Sequence, residues 1–400
     1  MKKWKQLLLT AGLTLCFGMA VKADTQAAAQ VTGVKQTDDS SSSVRVECST
    51  VLGAEHYYLE MSQDQKTWIT MGASSSPSML VTGLNAGSSF YARVGVCTDW
   101  DGEQKVAGTA SAPIEVVTAP RGTVDAVQTD AKTNSISVNG TAVSGANHYR
   151  LYYDKVLLGQ SSGRTVSSTV KMNAGTTYWC SLYACRKSSS GYVAVGSYDY
   201  FSAKTLAPAI NTRSFGVTNA WTNINCFDFG VSMPYARDGL HFQFVTPKGK
   251  VKKNAYTSYS GSTSVSVNNF IEGNFYKYRV RSFVQCGTKR VYSGWSGYKY
   301  IGMPKSGKFK LSRNRKSLTF SFSKVNNATS YTIYASTKEN SGYKKIKTLK
   351  AKKRSLTVKK VAGKKIKRNK KYYFRVVPNA KVGKKTYKSQ SNMWFSYQYF

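Results

Sequence analysis

Acidic side chains are scarce in this chain of 400 residues: 19 Asp and Glu face 58 Lys and Arg, for a formal net charge of +39. Glycoside hydrolysis needs two carboxylates roughly 5 to 10 Å apart, one of them protonated, and past Pro304 the sole acid is Glu339. The three histidines, His56, His148 and His241, are the whole supply of imidazole bases and ligands. No His-Glu-x-x-His pair for zinc and no Gly-Lys-Ser phosphate loop occurs. Asp99, Asp101 and Glu103 alternate around Trp100, a pattern more typical of a solvated hairpin turn than of a cation site. These absences predict a protein that is not an enzyme and holds no metal and no cofactor.

Long apolar runs are missing too, apart from one at the start. Lys2, Lys3 and Lys5 lead into the stretch Leu7 to Val21, and Val21-Lys22-Ala23 offers a small-residue cleavage site before Asp24. That stretch is shorter than the ~20 residues that span a bilayer, so residues 1–23 read as a secretory signal peptide. Leu15 stands before Cys16 where a lipoprotein signal carries a small residue. The expected location is secreted, extracellular or cell-wall associated, with no membrane span after processing. Without a Leu-Pro-x-Thr-Gly motif, covalent anchoring is not expected.

What is plentiful points to strands. Hydrophobic residues are 41% and charged residues 19%, with 27 Tyr and 32 Gly, a balance that favours short strands and turns. One segment recurs, at Gly53 to Glu60, Gly145 to Tyr152, Gly239 to Phe244 and Asn327 to Tyr334. Aligned on His56, His148, His241 and Ser330, its copies lie 92, 93 and 89 residues apart. A second landmark keeps the same beat: a turn at Gly87, Gly175, Gly273 or Asn369 leads into Phe90 to Val94, Tyr178 to Leu182, Tyr276 to Val280 or Tyr372 to Val376. Apolar residues there alternate, the period of a half-buried strand. Pro120, Pro208 and Pro304 close units at 24–120, 121–208, 209–304 and 305–400.

These residues resemble fibronectin type III domains, whose Gly-x-x-Tyr-x-Val-x-Val sixth strand is matched best by Gly273 to Val280. The resemblance implies an all-β chain of four tandem fibronectin type III/immunoglobulin-like β-sandwich domains. Two positions depart from the pattern. Cys48, Gly140 and Phe322 stand near the second-strand Trp of that family, and Phe90 replaces the corner Tyr of the first unit. The fourth unit also resembles Lys-rich fibronectin-like repeats in secreted proteins of Gram-positive anaerobes, which implies a bacterial source.

Six cysteines follow the signal peptide. Cys180 and Cys185, five residues apart on one strand, are separated by about 16 Å, too far for a bridge limited to roughly 7 Å. Cys48 with Cys97 and Cys226 with Cys286 would join second and sixth strands, and free buried thiols are the alternative.

Charge is the strongest signal. Residues 304 to 400 carry 28 Lys and Arg against Glu339, so +27 of the net +39 lies in one quarter of the chain. Lys350, Lys352, Lys353, Arg354, Lys359, Lys360, Lys364, Lys365, Lys367, Arg368, Lys370 and Lys371 alternate with Leu356, Val358, Val361 and Ile366. A core and a dense cationic surface are thereby served by one segment. The predicted ligand is an anionic cell-surface polymer, teichoic-acid-like, or a glycan, with a protein partner as a further candidate; sequence-specific nucleic acid is not expected, because Lys outnumbers Arg by 23 to 5 in the fourth unit. The leading expectation is a non-catalytic cell-surface binding or adhesion protein. The alternative is a carbohydrate-binding accessory protein of a secreted polysaccharide-degrading system, acting through Trp100 and Trp295.

Overall fold

The structure, a computed structural model, describes residues 30–38, 40–97, 109–221, 226–232, 235–257, 262–367, 369–390 and 393–399, without the side chains of 219–221, 393–396, 398 and 399. The predicted signal peptide, the acidic turn around Trp100, and Arg368 lie outside the described residues. Among the described residues no helix is long and apolar enough to cross a membrane.

Alternating sequence builds four successive sets of strands. The first is β1 (Lys35–Gln36), β2 (Ser43–Glu47), β3 (His56–Ser62), β4 (Ile69–Ser74), β5 (Ser78–Thr82), β6 (Ser89–Cys97) and β7 (Ile114–Val117). They form two sheets, ordered β1-β2-β5 and β4-β3-β6-β7. The second set is β8 (Ala126–Ala131), β9 (Ile136–Gly140), β10 (His148–Tyr153), β11 (Val156–Ser161), β12 (Thr165–Ser167), β13 (Thr177–Lys187) and β14 (Val193–Lys204), ordered β12-β9-β8 and β11-β10-β13-β14.

The third set follows a single 3₁₀ turn at Thr212–Ser214 and comprises β15 (Phe215–Trp221), β16 (Cys226–Val231), β17 (Gly239–Val245), β18 (Val251–Tyr256), β19 (Ser264–Asn268), β20 (Phe275–Cys286), β21 (Lys289–Tyr292) and β22 (Lys299–Gly302). Its sheets are β15-β16-β19 and β18-β17-β20-β21, with β22 also on β20. The fourth is β23 (Gly307–Leu311), β24 (Leu318–Phe322), β25 (Ser330–Ser336), β26 (Lys344–Lys350), β27 (Ser355–Val358), β28 (Lys360–Val361), β29 (Lys364–Lys365), β30 (Lys370–Val382), β31 (Lys385–Lys388) and β32 (Met393–Tyr399). Its sheets are β23-β24-β27 and β26-β25-β30-β31, with β32 on β30 and β28-β29 as a separate hairpin. The architecture is all-β, a tandem of sandwiches.

The chain gathers into two compact units: Met1–Ala126 with Val138–Ser168 and Trp179–Phe201, and Val127–Ser137 with Thr169–Tyr178 and Ser202–Phe400. In the first unit Val44 and Val46, Tyr57, Leu59 and Met61, and Phe90, Ala92 and Val94 bury alternate side chains in one core. There Gly87, at φ +63°, meets Gly145 backbone to backbone; a Cβ on Gly87 would sit 2.7 Å from the Gly145 Cα, so neither position tolerates a side chain. In the second unit the third sandwich has an aromatic core of Phe227, Phe229, Phe242, Phe244 and Tyr278. The fourth packs Phe320, Tyr331, Ile333, Tyr372 and Phe374 with Val358 and Val361 from the basic segment.

Register sharpens the repeat. Leu59 pairs with Val94, Leu151 with Leu182, Phe242 with Val280 and Ile333 with Val376. By this alignment the partner of His56, His148 and Ser330 in the third repeat is Gly239, not His241, which lies two residues further along its strand. The equivalent positions 56, 148, 239 and 330 are then 92, 91 and 91 residues apart, and the expectation of one shared histidine position is corrected.

Tyrosine hydroxyls tie down the turns. Tyr178 and Tyr372 accept the Asn173 and Lys367 N–H at 2.7 Å each, bonds that Phe90, in the corner position of the first unit, cannot make. Sequence reasoning missed a second set. Tyr57, Tyr149 and Tyr331 accept the amides of Val51, Val143 and Val325 at 2.9, 3.3 and 2.9 Å. Six residues separate each pair, a signal that repeat alignment holds. Tyr331→Phe leaves the buried Val325 N–H without its acceptor and should cost about 1–3 kcal/mol, read as a lower denaturant midpoint for the fourth sandwich.

Candidate functional site

Every predicted basic residue that is described, from Lys350 to Lys371, is exposed. Lys350, Lys352, Lys353 and Arg354 sit on the turn between β26 and β27, closed by a 2.9 Å bond from the Lys353 N–H to the Lys350 carbonyl. Lys359, Lys360, Lys364 and Lys365 sit at the other end of β27, a strand of four residues, about 13 Å away. The structure thus divides the basic residues into two clusters.

The second cluster is the more constrained. Val361 is buried in the core, with Ala362 and Ile366 packed against it, so the β28-β29 hairpin cannot swing free. Its register sets Lys360 directly opposite Lys365. The Tyr372 hydroxyl holds the adjacent Lys367 amide, and Lys371 Nζ lies 5.4 Å from the Tyr373 ring centroid. Among the described residues the ion pairs are Lys35–Glu47, Arg93–Glu60 and Lys204–Asp238, none of them in the fourth sandwich.

Trp295 is committed elsewhere. Its ring has the Arg279 and Arg281 guanidinia over it, each 4.2 Å from the centroid, and His241 stands 4.9 Å away. Ser293 and Ser296, on either side, accept the Ser282 and Val280 amides at 3.0 and 2.9 Å. The tryptophan therefore braces the outer face of β20, and an open sugar-stacking ring must be sought at another place.

His148, His241 and the cysteines also have local tasks. His148 Nε2 shares a 3.2 Å bond with Gln160 Oε1; His241 bonds Asn254 Oδ1 at 3.0 Å and stacks on Tyr256. All six described thiols are unbridged. Cys286 packs with Ala131, Leu206 and Val284, while burial pushes the Cys180 thiol up to about 12, far from nucleophilic. A Gly-x-Ser-x-Gly pattern does occur at Gly159 to Gly163. Its serine lies at the end of β11, where Ser161 Oγ accepts the Gly163 N–H at 3.0 Å; the strand-to-helix elbow that exposes a nucleophile is a different structure. No group of three or more His, Cys, Asp or Glu among the described residues is placed to hold a metal ion.

Two outcomes follow from this packing. Trp295→Ala should destabilise the third sandwich by about 1–2 kcal/mol, the scale of cation–π contacts, measurable by chemical denaturation. Burial, and then the positive charges of Arg281, Arg279 and Arg290, hold the His241 pKa below its ordinary value, and burial lowers that of His148. As pH falls through about 6.5, the unfolded chain takes up protons that these folded imidazoles refuse, so stability falls. Denaturation midpoints should drop between about pH 7 and pH 5, and less so in His241→Gln.

No known family's sequence profile matches the chain, and no curated protein matches it. Among solved structures it is similar to a segment of two fibronectin type-III domains from chicken tenascin, with 16% identity over 46% of this chain and 97% of that one, at a TM-score of 0.23. It is also similar to the FN1–FN3 domains of chicken CNTN1, with 10% identity over 70% of this chain and 98% of that one, at a TM-score of 0.20.

Proposed function

We propose that the chain is a non-catalytic binding protein, exported and retained outside the cell by anionic surface polymers that the fourth sandwich binds, in the manner of an adhesion protein. The observation that supports this reading most is Lys360 facing Lys365 on a hairpin fixed to the core. Like charges directly opposite weaken a strand pair, and a compact domain of this charge repels itself. A polyanion laid over the hairpin relieves both. Lysines act as point charges and suit a repeated phosphate, as in a teichoic-acid-like polymer, better than the bidentate reading of bases. The non-catalytic reading is supported by the structural partners of His148 and His241.

The test uses the full chain and a variant with Lys359, Lys360, Lys364 and Lys365 all changed to Gln, bound to immobilised polyphosphate and to teichoic-acid-bearing walls across a salt series. Wild type should be released by salt, and the variant's plot of log affinity against log salt should be shallower by about 3, since each phosphate contact contributes about 0.7 to 0.9. Identical release of the two proteins would remove the hairpin from the binding surface, and salt-resistant retention would defeat the electrostatic reading.

A further inference from the structure

At one position of the repeat an arginine caps an aromatic ring in three sandwiches and is missing from the other. The residue before the core pair on the sixth-strand equivalent is Arg93, Ser181, Arg279 and Arg375 in turn. Arg93 lies 4.1 Å over Trp68, Arg279 4.2 Å over Trp295, and Arg375 3.7 Å over Tyr343. Ser181 has no cation to offer. Around it Trp179, Tyr198 and Tyr200 stay 56%, 57% and 60% exposed. Trp179 stacks on Tyr200 at 5.7 Å and Tyr183 on Tyr198 at 4.7 Å, with Tyr152 edge-on to Tyr183 at 5.5 Å.

The same face runs into a pocket. Register places Gln160, Arg150 and Tyr183 in one row across β11, β10 and β13, with His148 in the next row. His148 and Gln160 line an open pocket of about 590 Å³ together with Glu115, Asn147, Lys187 and four serines, Ser161, Ser162, Ser188 and Ser189. Glu115 is fixed by the Ser89 hydroxyl and by the Ser189 N–H, the latter at 2.6 Å. We infer that this face of the second sandwich, from Trp179 to the pocket, binds a neutral glycan chain.

The chemistry selects that occupant. No aliphatic side chain lines the pocket, so it lacks the apolar hole in which a protein partner would bury a hot-spot residue. Every lining group gives or takes hydrogen bonds, which suits the hydroxyls of a sugar. The charged groups there, Glu115, Lys187 and the titratable His148 in the lining and Arg150 bonded to Gln160 beside it, are few and of both signs, a poor field for a polyelectrolyte. The rings supply amphipathic flanks for the C–H surfaces of further sugar units, and Trp179 to Tyr183 covers about 13 Å of strand. This site is independent of the basic hairpin.

The experiment titrates the full chain with hexasaccharides of glucose, xylose, mannose and N-acetylglucosamine, followed by calorimetry and tryptophan fluorescence. At least one should bind saturably, with affinity unchanged between about 50 and 500 mM salt. Trp179→Ala should weaken it about tenfold, as expected of one lost aromatic anchor. Ser181→Arg, which restores the cap of the other repeats, should weaken it similarly, while the fourfold lysine variant binds as wild type. Both positions are solvent-facing, and unchanged melting curves verify folding. No binding to any of the four sugars, or equal binding by wild type and Trp179→Ala, would overturn the proposal. Self-association abolished by Trp179→Ala without sugar binding would instead make the face a contact between copies, which also overturns it.

Discussion

The antiparallel register between the third strand of each set and its long partner, β6, β13, β20 or β30, is the constraint on which the rest depends. It decides which side chains enter the core, and by the two-residue period of a strand it hands every intervening side chain to the outside. Leu59 with Val94, Leu151 with Leu182, Phe242 with Val280 and Ile333 with Val376 are its fixed points. From them follow the turn bonds of Tyr57, Tyr149 and Tyr331 on the inner side and the arginine caps on the outer side.

Much of this was legible in the sequence, because alternation survives any change of residue that keeps polarity. The beat of about ninety residues, the aromatic sixth strand and the split of the basic segment into core and surface all show in the order of residues. The histidine alignment failed for a physical reason. A slip of one residue would turn a strand inside out, but a slip of two leaves every side chain on its own face, so hydrophobic pattern cannot detect it. Gly239-Leu240-His241-Phe242-Gln243-Phe244 alternates well in either alignment, and only the strand partners reveal that Gly239 holds the place of His56. Trp295 misled in a related way. Its own neighbours along the chain are Ser and Gly, while the arginines that occupy its ring arrive from β20.

Charge in the fourth sandwich differs from charge in the others by what it meets. Arg93 finds Glu60 at 2.6 Å, and Lys204 finds Asp238 at the same distance. Arg279 and Arg281 find Trp295. The lysines of β28 and β29 find each other. A domain can carry such a surface because Val358, Val361 and their neighbours supply apolar burial at alternate places, and because the hydrophobic term is indifferent to charge on the opposite face. Stability and cationic density are therefore chosen separately along the same segment.

The same separation explains where the repeats diverge. The inward positions must satisfy one core geometry and change little in kind. The outward position before the core pair on the sixth strand bears no such load, and there the second sandwich has Ser181 where the others have arginine. An arginine at that place does two things at once: it covers an aromatic ring and it adds a positive charge. With serine at that place, Trp179 and Tyr200 stand beside it 56% and 60% exposed, and the face carries one positive charge fewer than its counterparts. One small change on a shared scaffold thus alters both the shape and the charge of a face while the core beneath it is untouched.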